Sequence, residues 1–190
     1  MPVITIRNPY SWFLSMCKHG YEARWLHGRT PPHCPQLKNP ENTEQWNEVT
    51  VRYGPDREDS HQSLAHYWND WYSYYLRDAD YPYVAVRMED LVFYPKETIT
   101  TVCECAGGKI RTDQSFKYIE QSAKADSPGH DASTGLYQAW IKYSKSPELN
   151  GGLSERDYLS TKDALNQTLM DFFGYRHPPP QVLNPNPNSN

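Results

Sequence analysis

The chain of 190 residues is 37% hydrophobic and 14% aromatic, with a formal net charge of −4. That length suffices for one domain with a core, and because 6 Trp, 15 Tyr and 5 Phe supply much of the apolar surface, burial must lean on aromatic rings; this excludes disorder throughout. The negative balance speaks against a nucleic-acid coat, which needs clustered Lys and Arg, while leaving room for a small anionic ligand held by a local cation.

In chain order, Val3-Ile4-Thr5-Ile6 is a β-branched apolar tetrad that reads as a buried strand. Asn8 is a good cap and Pro9 a good first residue for the helix that follows, which Gly20 ends. From Glu22 to Pro55 the composition is polar and Pro-rich, with Pro31, Pro32, Pro35 and Pro40, and predicts a long irregular excursion. Between about Asp59 and Asp78, Leu64, Tyr67, Trp68, Trp71, Tyr72, Tyr75 and Leu76 recur at spacings of three and four, which predicts a long helix with both tryptophans on its apolar stripe. Tyr83 to Arg87 is a second strand, and Pro95 opens a helix that ends at Gly107-Gly108. Two strand-turn-helix units joined by a long helix imply a parallel sheet in an α/β fold. A Ser, Asp and Gly-rich linker leads to a short segment at Tyr137–Tyr143, then to one helix over Ser154–Phe173. The expected organisation is a single domain over 1–175 and a disordered Pro/Asn-rich tail over 176–190. No run of about 18 apolar residues occurs, so no membrane segment is expected within this chain.

Cys17, Cys34, Cys103 and Cys105 are too few and too irregular for a disulfide framework, so the expectation is unpaired cysteines. A Cys17–Cys34 disulfide and a zinc site on Cys17, His19, His33 and Cys34 are the alternatives. None of the 7 histidines has a supporting motif, and no catalytic histidine is expected. His66 is placed at the border of the long helix's apolar face, and His33 in the Pro-rich loop.

The segment Val3 to Ser15 places Arg7 at the carboxyl end of a strand and Ser15 in the following helix, where open α/β sheets bind ligands. A guanidinium fork, a hydroxyl and a helix N-terminus together make a phosphate clamp. From these residues alone, an exposed Arg and a surface Ser is an equal reading. Arg7-Asn8-Pro9 with Ser15 eight residues after the Arg resembles the 3'-phosphate motif of sulfotransferases that use 3'-phosphoadenosine 5'-phosphosulfate (PAPS). Val86-Arg87-Met88-Glu89-Asp90-Leu91, with Pro95 and Cys105-Ala106-Gly107-Gly108 after it, is similar to the same family's Arg-Tyr-Glu-Asp-Leu segment, Met88 replacing the usual aromatic. Leu153 to Tyr175 resembles its closing helix.

The resemblance implies a three-layer α/β sandwich with a parallel sheet, the P-loop-NTPase-like sulfotransferase fold, incomplete at the N-terminus. It implies PAPS as co-substrate without a metal, Arg7 and Ser15 on the 3'-phosphate, and sulfuryl transfer to a hydroxyl or amine of a carbohydrate, protein or small molecule. Glu89 and Asp90 are expected to cap helices or tie down loops, the alternative being a carboxylate beside the acceptor. The family's 5'-phosphosulfate loop and its usual base would precede Val3, so this chain alone is expected to be inactive and its catalytic residues are not identified. Gly107-Gly108-Lys109 reads as a helix cap rather than a replacement cradle, and Asn150-Gly151-Gly152 as a turn before Ser154. The family occurs in the cytosol and in the Golgi lumen, which leaves the compartment open. The competing reading is a non-catalytic interaction protein that retains part of the fold.

Overall fold

The structure, a computed structural model, describes residues 1–28, 33–119, 135–144 and 153–179. Its elements in chain order are β1 (Val3–Ile6), α1 (Pro9–Lys18), β2 (Ala23–Arg24), β3 (Val49–Arg52), β4 (Glu58–His61), α2 (Leu64–Arg77), β5 (Val84–Arg87), α3 (Met88–Phe93), α4 (Pro95–Cys105), α5 (Leu136–Ser144), α6 (Glu155–Ala164) and α7 (Gln167–Phe172). The chain divides into two compact units, Met1–Pro9 with Asp70–Lys145 and Tyr10–Asn69 with Ser146–Asn190.

In the first unit β1 and β5 pair in parallel, in register from Val3 with Val84 to Ile6 with Arg87. The α/β reading with a parallel sheet therefore holds at the level of a small sheet flanked by helices. Ile6 and Val86 are buried, whereas Val3 is 48% exposed. The Tyr72 hydroxyl donates to the Thr5 carbonyl at 3.3 Å and ties α2 to β1. Tyr94 leaves helical geometry between α3 and α4, so Pro95 starts a new helix where its missing N–H costs nothing. Gly107, at φ 77°, ends α4 as the expected glycine cap, and the bonding is a Schellman closure: its N–H reaches the Glu104 carbonyl and the Gly108 N–H reaches that of Cys103.

The second unit corrects the irregular excursion predicted over Glu22–Pro55. It contains a three-stranded antiparallel sheet in the order β2-β3-β4. β3 is a half-buried alternating strand, with Val49 and Val51 inside and Thr50 and Arg52 outside, hidden in the sequence by polar and Pro-rich surroundings. β4 reads Glu-Asp-Ser-His and carries no apolar residue; besides its pairing with β3, the Ser60 hydroxyl donates to Glu48 Oε1 at 3.4 Å and the His61 ring lies 4.8 Å from that of Tyr67. Because β4 occupies Glu58–His61, α2 starts later than predicted, at Leu64, with the Ser63 hydroxyl accepting from the His66 N–H. Leu64, Ala65 and Trp68 are fully buried, but Trp71 is 40% exposed, so the two tryptophans do not share one buried stripe.

Cys17 and Cys34 form a disulfide, against the expectation of unpaired cysteines. Their sulfurs are thereby bonded to each other and supply no thiolate to a zinc site with His19 and His33. The bond ties α1 to a segment with little regular structure, which polar contacts hold instead. The Leu37 and Gln36 N–H groups donate to the Asp157 carboxylate at 2.8 and 3.2 Å, and the Asn47 amide donates to the Gln36 and Leu26 carbonyls at 2.7 and 2.6 Å. A bridge across a separation of 17 residues removes enough freedom from the unfolded chain to stabilise by about 3 kcal/mol. Replacing both cysteines by serine is expected to lower the unfolding free energy by about that amount, read as a lower urea midpoint at unchanged slope.

The single helix expected over Ser154–Phe173 is two helices, α6 and α7. Ser154 caps α6 by accepting from the Asp157 N–H, and Asn166 caps α7 by accepting from the Leu169 N–H, so Asn166 starts a second helix instead of continuing the first. The boundary after Tyr175 also moves. Arg176 pairs with Asp171 at 2.6 Å and the Tyr158 hydroxyl donates to the Pro178 carbonyl at 2.6 Å, so the first residues of the expected tail are packed. Residues 180–190 lie outside the described residues.

Candidate functional site

Arg7 follows the last residue of β1, and α1 begins two residues later at Pro9, so the cation sits at the carboxyl end of a parallel strand beside a helix N-terminus. Its surroundings are drawn from the first unit. The guanidinium carbon lies 5.3 Å from the centre of the Tyr143 ring of α5, a cation–π contact. The Asn8 N–H donates to Glu89 Oε1 at 3.0 Å, which ties the turn after Arg7 to the start of α3. Arg7 and Glu89 act in opposite directions on the same two phenols. Burial first, then Tyr75 and Glu89, push Tyr72 up to about 12 while Arg7 opposes. Burial likewise raises Tyr143, with Arg7 opposing and Glu89 adding. The site is thus a half-buried cation beside two phenols and one carboxylate.

Ser15 lies in α1, half-buried, in the second unit, and its carbonyl accepts the His19 N–H at 3.0 Å. Arg7 and Ser15 belong to one continuous strand-turn-helix segment. Glu89 and Asp90 do what tying carboxylates do. Glu89 holds the Asn8 N–H, and Asp90 pairs bidentately with Arg87 at 2.7 and 2.6 Å while its carbonyl accepts the Thr98 hydroxyl at 3.1 Å. The Gly107-Gly108 pair is a cap, and Asn150-Gly151-Gly152 lies outside the described residues. The sequence does not mark Tyr72 or Tyr143 as site residues. Tyr72 reads as one more ring of an amphipathic stripe, and nothing in the local pattern around Tyr143 links it to a residue near the start of the chain.

The Ser63 hydroxyl meets His66 Nδ1 at 2.8 Å, the spacing of a nucleophile and its base, but Ser63 is completely buried and caps α2. The His66 ring packs edge-on to Trp46 at 4.9 Å, as a border residue should. Among the described residues no group of three or more His, Cys, Asp or Glu is arranged to hold a metal, and no helix is long and apolar enough to cross a membrane.

His177 belongs to the packed end of the second unit. The Tyr10 hydroxyl meets its Nδ1 at 2.7 Å, and its Nε2 faces Gln167 Oε1 at 3.3 Å, the pattern of a neutral ring protonated on Nε2. Burial and then Lys162 push its pKa below the ordinary imidazole value, with Asp171 opposing. The folded state therefore favours the neutral ring, and its contribution is complete above about pH 6.5, where the unfolded ring is also neutral. As pH falls through that value the unfolded chain takes up the proton first, and stability declines until the folded ring titrates. The wild-type melting temperature is expected to drop more between pH 7.5 and 5.5 than that of His177→Gln; equal drops would show that another group sets the slope.

Compared with protein-family models, curated proteins and solved structures, the chain finds no match in any of the three.

Proposed function

We propose that this chain is a sulfotransferase-type α/β domain whose Val3–Ser15 segment binds the 3'-phosphate of a 3'-phosphorylated adenosine nucleotide, with PAPS as sulfuryl donor to a hydroxyl or amine acceptor. The observation that carries the reading is the position of Arg7, at the carboxyl end of a parallel strand and two residues before a helix of 10 residues. Open parallel sheets bind ligands at that end, and a helix start favours an anion. The Arg7 fork supplies paired donors to the phosphate, with the Ser15 hydroxyl as the second donor that the sequence resemblance implies. Transfer itself needs cationic donors on the leaving phosphate oxygen at the other end of the nucleotide. No residue is assigned that task, so nucleotide binding is the activity proposed for these residues and sulfuryl transfer that of the family type. A second reading is an interaction protein that retains the fold segment, favoured by Trp71 and Tyr74, 40% and 46% exposed on α2.

The test is thermal unfolding with 3',5'-adenosine diphosphate. At about 100 times the dissociation constant a bound nucleotide adds about 2.7 kcal/mol to stability. Arg7→Ala is expected to remove most of the shift, and Arg7→Lys, which keeps the charge but loses the fork, to leave part of it. Arg111→Ala should keep the full shift, because Arg111 is held in a surface pair with Asp113 at 3.0 Å. Equal losses in Arg7→Ala and Arg111→Ala would sink the clamp, and a flat response of the wild type favours the interaction protein.

A further inference from the structure

A groove of about 290 Å³ lies in the first unit between β5 and α4. Three successive strand residues, Val84, Ala85 and Val86, line one side of it, and α4 contributes Glu97 and Val102. No β1 residue lines it, so it opens on the side of β5 turned away from β1. The Val84 N–H donates to the Pro2 carbonyl at 3.1 Å, which fixes the phase of the parallel ladder. In such a ladder alternate residues bond to the same neighbour. Val84 and Val86 thus face β1, and the N–H and C=O of the exposed Ala85 point to the opposite edge, into the groove. The far wall is equally unusual. α4 is an 11-residue helix with no buried residue, and it lines the groove with Glu97, Thr98, Thr101 and Val102. The carboxylate of Asp90, which also lines the groove, is engaged by Arg87, whereas Glu97 presents its charge from an exposed position.

We propose that this groove docks an extended segment of a partner polypeptide, which adds as a strand beside Ala85, sets an apolar side chain between β5 and Val102, and brings a Lys or Arg to Glu97. A strand edge that presents N–H and C=O groups is matched by another backbone, and the side-chain pockets beside it supply selectivity. The Glu97 carboxylate favours a basic residue over an acidic one. This inference does not depend on the nucleotide reading.

The probe is the blocked pentapeptide acetyl-Thr-Val-Lys-Val-Thr-amide, titrated into the full chain up to about 2 mM and followed by amide NMR. The Ala85 N–H should shift and gain protection from exchange. A copy N-methylated on the two amides of its pairing edge should lose binding. Glu97→Lys, an exposed change that leaves the fold intact, should weaken the lysine peptide by about tenfold and prefer the peptide with Glu at that position. No perturbation of Ala85 across the titration overturns the proposal, as does equal binding of the N-methylated peptide or indifference to Glu97→Lys. A concentration-dependent dimer that the peptide displaces would put a second copy of this chain in the groove, and also overturns the partner segment proposed here.

Discussion

Trp68→Ala is expected to lower the unfolding free energy by about 3–5 kcal/mol, the range for deleting a large aromatic from a core, while Trp71→Ala is expected to cost about 1 kcal/mol or less. The two residues lie three apart on α2, and sequence periodicity treats them alike. Their surroundings do not. Trp68 is 0% exposed, and its removal leaves a cavity that well-packed neighbours fill only in part. Trp71 is 40% exposed and has its Tyr75 ring contact at a centroid distance of 6.2 Å, so its truncation opens onto solvent and leaves no closed cavity. A loss of 3–5 kcal/mol is a large part of the stability of an ordinary domain, so the Trp68 variant should unfold at far lower urea than the Trp71 variant. Equal midpoints would mean that both rings carry the same packing, contrary to the geometry.

What the sequence makes legible follows from where its signals are local. β1, β5, α4 and the start of α2's buried face are each written in a short run of residues: a β-branched tetrad for β1, Val84-Ala85-Val86 for β5, Pro95 with Gly107, and Leu64-Ala65 with Trp68. The glycine cap of α4 was readable for the same reason, since it needs only Gly107-Gly108 after the last helical turn. β4 was not readable, because Glu, Asp, Ser and His carry no apolar alternation and the strand is defined by its long-range pairing with β3. The Cys17–Cys34 bond was only one alternative for these cysteines, and the Asp157 cradle of Gln36 and Leu37 was hidden, both being contacts on a segment without periodicity. The candidate site divides in the same way. Arg7 is visible as a strand-end arginine before Asn-Pro, whereas its framing by Tyr143 and the hold of Glu89 on Asn8 depend on residues far along the chain.

Asp157→Ala is expected to cost about 3–4 kcal/mol, an effect as large as loss of the disulfide. The Asp157 carboxylate is 3% exposed and accepts from the Leu37 N–H at 2.8 Å, the Gln36 N–H at 3.2 Å and the Ser154 hydroxyl at 3.1 Å. Hydrogen bonds to a charged acceptor contribute roughly 1.5–3 kcal/mol each, and the Leu37 N–H would be left buried without its acceptor. Asp157→Asn keeps one acceptor oxygen and is expected to lose about half as much. The disulfide and the carboxylate hold the same short segment, Cys34 to Leu37, one from α1 and the other from α6. Once the cysteines are serines, part of the order that Asp157 maintains is already gone. The triple variant should therefore lose less than the sum of the two separate losses, with a coupling of about 0.5–3 kcal/mol in a double-mutant cycle. Strict additivity in urea unfolding would show that α1 and α6 grip this segment independently, and that its position does not require both.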